Sequence, residues 1–138
     1  MAKAAELLGD RWSLLIIREL FYGVHKFEAI RQDISIPKSV LSSRLATMTE
    51  AGIVEKHPYK PEGARTRYEY HLTSAGKGLA VSLLALLEWG NKHREIDGVP
   101  FKAIDRSTGN RAVVRVVDAQ TGIPVKLRNL DLVEDRSS

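Results

Sequence analysis

The chain has 138 residues, a net charge of +4, 43% hydrophobic and 28% charged residues, and no cysteine. This leaves room for one compact domain with an extension, in the composition range of ordinary globular proteins. A disulfide framework, a thiolate metal site and a thiol sensor are excluded within these residues; no apolar run reaches the roughly 18 residues a membrane span needs, and the positive balance weakly favours a polyanionic partner.

The chain opens on an alanine-rich stretch, Ala2 to Leu8, that reads as a short helix ended by Gly9. This start lacks the long apolar core of a signal peptide, so the cytoplasm is the expected compartment. Asp10 is placed to cap a second helix carrying Trp12, Leu15, Ile16, Leu20 and Phe21 and ending at Gly23. The spacing of Phe27, Ile30 and Ile34 predicts a third helix from about Lys26. After a turn at Ser35-Ile36-Pro37, with the proline in the first helical turn, a fourth helix is expected to about Ala51. Leu41, Leu45 and Met48 form its buried stripe, and Gly52 ends it.

The period then changes. Ile53 to His57 reads as a strand, Pro58 to Thr66 as a loop, and Arg67 to Leu72 as a second strand, with Tyr68, Tyr70 and Leu72 on one side. Thr73 is the expected cap of one long fifth helix reaching about Asn91. From Leu79 to Trp89 only Ser82 and Glu88 interrupt its apolar residues, and a helix apolar all round must be covered all round. Beyond a linker at Ile96 to Pro100, strands are expected at Ala112–Val117 and Ile123–Leu132, with Thr-Gly turns at Thr108-Gly109 and Thr121-Gly122. The fold class is thus α+β: a winged helix-turn-helix domain over 1–95, mainly helical with a two-stranded wing, and a C-terminal β-hairpin extension over 96–138.

Two short helices joined by a tight turn and followed by a hairpin form a DNA-reading order. Opposite its core stripe the fourth helix carries Ser39, Ser42, Ser43 and Ala46 at helical spacing, flanked by Lys38, Arg44 and Thr47. Small hydroxyls let a helix lie close to base edges and exchange hydrogen bonds with them. The hairpin tip carries Lys60, Arg65 and Arg67, suited to phosphates or a minor groove, with Glu62 and Glu69 diluting the charge. The competing reading of both features is a solvated helix face and a solvated loop. For the protein as a whole the alternative is a winged-helix protein-interaction module without direct DNA binding.

Particular runs resemble the HxlR-type regulators, relatives of the MarR regulators of bacteria. They are Gly9-Asp10-Arg11-Trp12-Ser13-Leu14-Leu15-Ile16-Ile17-Arg18-Glu19-Leu20, Phe27-Glu28-Ala29-Ile30, Leu41-Ser42-Ser43-Arg44-Leu45, Glu50-Ala51-Gly52-Ile53-Val54, Tyr68 to Gly76, and Trp89-Gly90. The resemblance covers about Ala4 to Asn91, in the family order. It implies that Lys38 to Thr47 is a recognition helix, that the hairpin tip is a wing, and that the first and fifth helices build a homodimer; Leu7, Leu79, Leu83, Leu84 and Leu87 are the candidate dimer residues. The implied partners are double-stranded DNA and a second copy, with room for a small-molecule effector between the dimer helices and the DNA-binding lobe; no membrane is implied. Many family members carry a sensing cysteine at a position that here falls at or just ahead of Met1. Longer members often carry paired Cys-Gly turns resembling a zinc ribbon; the matching turns here are Thr108-Gly109 and Thr121-Gly122, and threonine cannot replace a thiolate ligand.

No enzyme chemistry is expected. His25, His57, His71 and His93 read as scattered, so neither a metal nor another cofactor is expected. Ser42-Ser43 lacks a nucleophile-elbow setting, and Gly76-Lys77-Gly78 is too short for a phosphate loop.

Overall fold

The computed structural model describes residues 1–95, 98 and 100–136. Its packing divides the chain into two compact units, 1–83 and 84–138, with the division inside the last long helix.

In the first unit, helix α1 (Ala2–Leu8) ends where the Gly9 amide donates to the Ala5 carbonyl at 2.7 Å. Helix α2 (Arg11–Phe21) starts on the Asp10 carboxylate, which accepts from the Trp12 and Ser13 amides, both at 3.0 Å. This satisfies two of the donors that every helix start leaves open. α2 buries Ser13, Ile16, Ile17, Glu19 and Leu20, one stripe at helical spacing. The Glu19 carboxylate, unusual in a core, is met by the Arg18 guanidinium at 2.6 Å.

Helix α3 (Phe27–Ile34) buries Ile30 and Ile34 and ends at Ser35, which adopts the left-handed conformation at φ 53°. Ile36 is buried, and Pro37 stands immediately before helix α4 (Lys38–Glu50), one position earlier than its residue type predicts. α4 buries Leu41, Leu45 and Met48. Strand β1 (Val54–Tyr59) and strand β2 (Arg67–Leu72) pair antiparallel, with Val54 opposite Leu72 and Tyr59 opposite Arg67. The strand therefore runs through Pro58 and Tyr59, which the loop expected from Pro58 to Thr66 included. A two-stranded ribbon has free edges, where a proline lacking its N–H is tolerated. The core joins the stripes of α2, α3 and α4 to Ile36, Ile53, Val54 and Leu72.

The single helix expected from Thr73 to Asn91 is two helices, α5 (Ser74–Lys77) and α6 (Ala80–His93). Glycines at 76 and 78 weaken any continuous helix. Gly76 also lies against the backbone of Ile53: a Cβ there would sit 2.1 Å from the Ile53 carbonyl oxygen. Thr73 caps α5 through the Gly76 amide and donates its hydroxyl to the Gly52 carbonyl at 2.6 Å.

In the second unit, the strands expected at Ala112–Val117 and Ile123–Leu132 are absent among the described residues. Isolated bridges join Ile104 to Arg111 and Val117 to Pro124, and a 3-10 turn occupies Leu127–Asn129. Two similar turns dominate instead. The Asp105 carboxylate accepts from the amide and hydroxyl of Ser107, and the Asp118 carboxylate from the amides of Gln120 and Thr121. These bonds fold each segment back on itself at Gly109 and Gly122, leaving one bridge in place of a ladder. Hydrogen bonds from Ser107 and Thr121 hold the respective Asp105 and Asp118 carboxyls below the usual range.

Candidate nucleic-acid interface

α4 turns its apolar stripe into the core, so its other face is exposed: Lys38, Ser39, Ser42, Ser43, Ala46 and Thr47. The hydroxyls on this face behave differently. Ser42 and Ser43 face outward, whereas the Thr47 hydroxyl donates to the Ser43 carbonyl at 3.1 Å, one turn back. Its donor is thus used within the helix. Arg44 is only half-exposed and its Nε lies 3.6 Å from the Asp10 carboxylate. Beside α4 runs a groove of about 530 Å³ lined by Ser42, Ala46, Thr49, Glu50, Lys56 and Tyr70.

Lys56 is a residue that sequence reasoning missed. Strand alternation starting from Val54 and Leu72 places Lys56, Tyr68 and Tyr70 on one face of the hairpin, the face that packs toward α4. The Lys56 ammonium sits 3.9 Å from the centroid of the Tyr68 ring, a cation–π contact that holds the charge at the groove. Lys26 is similarly held 5.3 Å from the Tyr59 ring centroid. Lys60, Arg65 and Arg67 are exposed at or next to the hairpin tip, where the Ala64 amide closes a turn onto the Pro61 carbonyl. Glu62 is exposed among them.

The opposite hairpin face corrects the expectation of scattered histidines. His25 stacks on His71 at 4.0 Å between ring centroids, and His57 stacks on the same ring at 4.8 Å. Register explains it, since Glu55 lies opposite His71 and His57 opposite Glu69. The segment before α3 adds to this edge: the Tyr70 amide donates to the His25 carbonyl, and the backbones of Lys26 and Glu69 pair antiparallel in an isolated β-bridge. Near-parallel rings point their in-plane nitrogens alongside one another, so the stack does not converge on a point as metal ligands must.

Of the candidate dimer residues, Leu7, Leu79 and Leu83 are half-buried against the core of the first unit. Leu84 and Leu87 are half-buried and line a narrow void with Phe101 and Ala112 in the second unit. α6 as a whole contains no buried residue, and Val81, Leu86 and Trp89 are more than half exposed. No helix among the described residues is long and apolar enough to cross a membrane.

Comparison with known proteins agrees with this architecture. The family model of the HxlR-like helix-turn-helix matches residues 7–97. An HTH-type transcriptional regulator of Mycobacterium tuberculosis is 35% identical over 131 residues, covering 94% of this chain and 82% of the relative. The crystal structure of PA1607, a candidate transcription factor, superposes with a TM-score of 0.84 at 26% identity, over 97% of this chain and 93% of that one. A candidate MarR-family regulator from Enterococcus faecalis superposes with a TM-score of 0.56 at 27% identity, over 66% of this chain and 82% of that one. The chain belongs to the HxlR-like helix-turn-helix family of transcription regulators and carries its helix-turn-helix domain.

Proposed function

We propose that this chain binds operator DNA directly, as a homodimer, and so represses or activates transcription of a nearby operon. The observation that carries the reading is the exposed hydroxyl face of α4 beside a groove edged by Lys56. Ser39, Ser42 and Ser43 would read base edges in the major groove. Lys38, Arg44 and Lys56, with Lys60, Arg65 and Arg67 of the wing, would hold the phosphates or enter the minor groove, and Thr47, its hydroxyl donating within the helix, would meet the duplex through its methyl group. Residues 1–95 act in this reading as the DNA-binding and dimerisation domain, and 96–138 as an accessory extension. The dimer is supported by α6, an apolar helix with no buried residue, and by Leu7 of α1, half-buried against the core of the first unit. A two-fold dimer presents two copies of α4, so the site is expected to be an inverted repeat with half-site centres about 10 or 20 bp apart.

A second reading, a protein-interaction module, is favoured by Glu50 in the groove and Glu62 at the tip, acids that a phosphate-facing surface does not need. Selection of bound fragments from genomic DNA, followed by footprinting at several salt concentrations, decides between them. Protection of two symmetric half-sites, with affinity falling steeply as salt rises, is expected. Absence of salt-sensitive DNA binding would hand the protein to the second reading.

A further inference from the structure

The second unit holds a groove of about 820 Å³, a size suited to a small molecule, that DNA reading does not use. Trp89, Phe101 and Val113 line it. Trp89 is 57% exposed and Phe101 67%, although rings of this size are ordinarily covered. Lys92, Lys102 and Arg111 line the same groove, and none of the three is ion-paired to a carboxylate among the described residues. The one acid among the described lining residues, Glu88, accepts a hydrogen bond from the Val114 amide at 3.0 Å. The Asn91 side chain donates to the Phe101 carbonyl at 2.7 Å. Both bonds tie α6 to the segment facing it, so the walls are set before anything binds.

Charge and apolar surface together narrow the occupant. The cations disfavour a cationic ligand. An inorganic anion gains nothing from the rings, and a neutral apolar molecule nothing from the cations. We propose that this groove binds an amphipathic organic anion: a flat ring system or short chain against Trp89 and Phe101, with a carboxylate, phosphate or sulfonate met by Lys92, Lys102 and Arg111. The site stands on residues of the second unit alone and does not depend on the DNA-binding reading. Where that reading also holds, the groove is a place for an effector.

The test uses the full chain with Trp12→Phe, which leaves Trp89 as the sole tryptophan, since the sequence has two. The anionic probe is anilinonaphthalene sulfonate; the neutral control is phenylnaphthylamine, the same rings without the charge. The sulfonate is expected to bind at one equivalent per chain, to quench Trp89 emission, and to weaken about tenfold in Lys102→Gln/Arg111→Gln. The neutral amine is expected to bind more weakly and to ignore that double substitution. Calorimetric titration of the unsubstituted chain gives stoichiometry and affinity independently of Trp12. Equal binding of both probes, an unchanged sulfonate affinity in the double variant, or no quenching of Trp89 overturns the proposal. So does loss of self-association on Trp89→Ala together with no probe binding, which would make the groove a contact between copies.

Discussion

The carboxylate that caps α2 also restrains a cation on α4: Asp10 Oδ1 accepts the Trp12 and Ser13 amides and lies 3.6 Å from Arg44 Nε. A helix start and the helix proposed to read DNA are thus tied through one side chain. Arg44 approaches any phosphate with part of its charge already engaged, unlike Lys38 at the exposed start of the same helix.

Asp10 is expected to matter for stability in two separable ways. Asp10→Ala removes the cap and should cost about 1 kcal/mol in denaturant unfolding. Asp10→Asn keeps an acceptor but loses the charge, which isolates the pH-dependent part. Partial burial pushes the Asp10 carboxyl up, but the Ser13 hydroxyl and amide, Arg44 and the Trp12 amide together hold it below the ordinary value of 3.8. A carboxyl lowered in the folded state contributes stability above its unfolded value and loses it as pH falls through the lower folded value. The stability gap between the native chain and Asp10→Asn should therefore be widest near neutrality and shrink as pH falls below 3.8. A gap unchanged across that range would show that the charge contributes nothing to folding.

Gly76→Ala is expected to destabilise strongly, by about 2 kcal/mol or more, because the added Cβ meets the Ile53 carbonyl oxygen and one backbone segment must move. Gly78→Ala is the control. Its Cβ would meet the Ala75 carbonyl at 3.2 Å, within the same short helical segment, with no neighbouring strand to displace. Thermal unfolding of the two variants should separate by several degrees. Equal melting temperatures would mean that the approach of α5 to Ile53 is looser than its geometry.

Self-association separates two kinds of leucine. Leu86 is 52% exposed on α6, so Leu86→Asp is expected to yield a folded monomer in sedimentation at micromolar concentration. Leu83 is half-buried against the core, so Leu83→Asp should weaken folding as well as association. A native chain that sediments as a monomer under the same conditions would remove the dimer from the proposed function.

Features set by local chemistry are legible in the sequence alone. The Asp10 cap, the Leu41–Leu45–Met48 stripe, the strand Arg67–Leu72 and the outward serines of α4 each follow from a residue type at a fixed spacing. What escaped depends on partners distant in sequence. The closeness of Gly76 to Ile53 and the histidine stack, from a register that sets His57 and His71 beside His25, are of this kind; the break between α5 and α6 instead accords with the local glycines at 76 and 78. Lys56 enters the groove only once the hairpin face toward α4 is known. In the second unit the valine-rich runs read as strands by composition, but the aspartates at 105 and 118 close short turns ahead of or between those runs, and only isolated bridges form among the described residues.

The engagement of the α4 hydroxyls yields the sharpest expectation for DNA reading. Ser43 projects into solvent, so its hydroxyl is available to a base edge, and Ser43→Ala should reduce the ratio of cognate to scrambled binding by about 1 kcal/mol, roughly fivefold. Thr47 donates its hydroxyl to the Ser43 carbonyl, so Thr47→Val should leave that ratio nearly unchanged even though both residues lie on the same exposed face. Lys56 carries charge without a base-reading geometry, fixed against the Tyr68 ring. Lys56→Gln should weaken cognate and scrambled duplexes alike and lower the slope of log affinity against log salt by about one. Titrating the three variants against both duplexes at several salt concentrations separates these roles. If Thr47→Val lowers the specificity ratio as much as Ser43→Ala, the hydroxyl must leave its intrahelical partner on binding. If Lys56→Gln changes the ratio but not the slope, the groove beside α4 reads bases rather than phosphates.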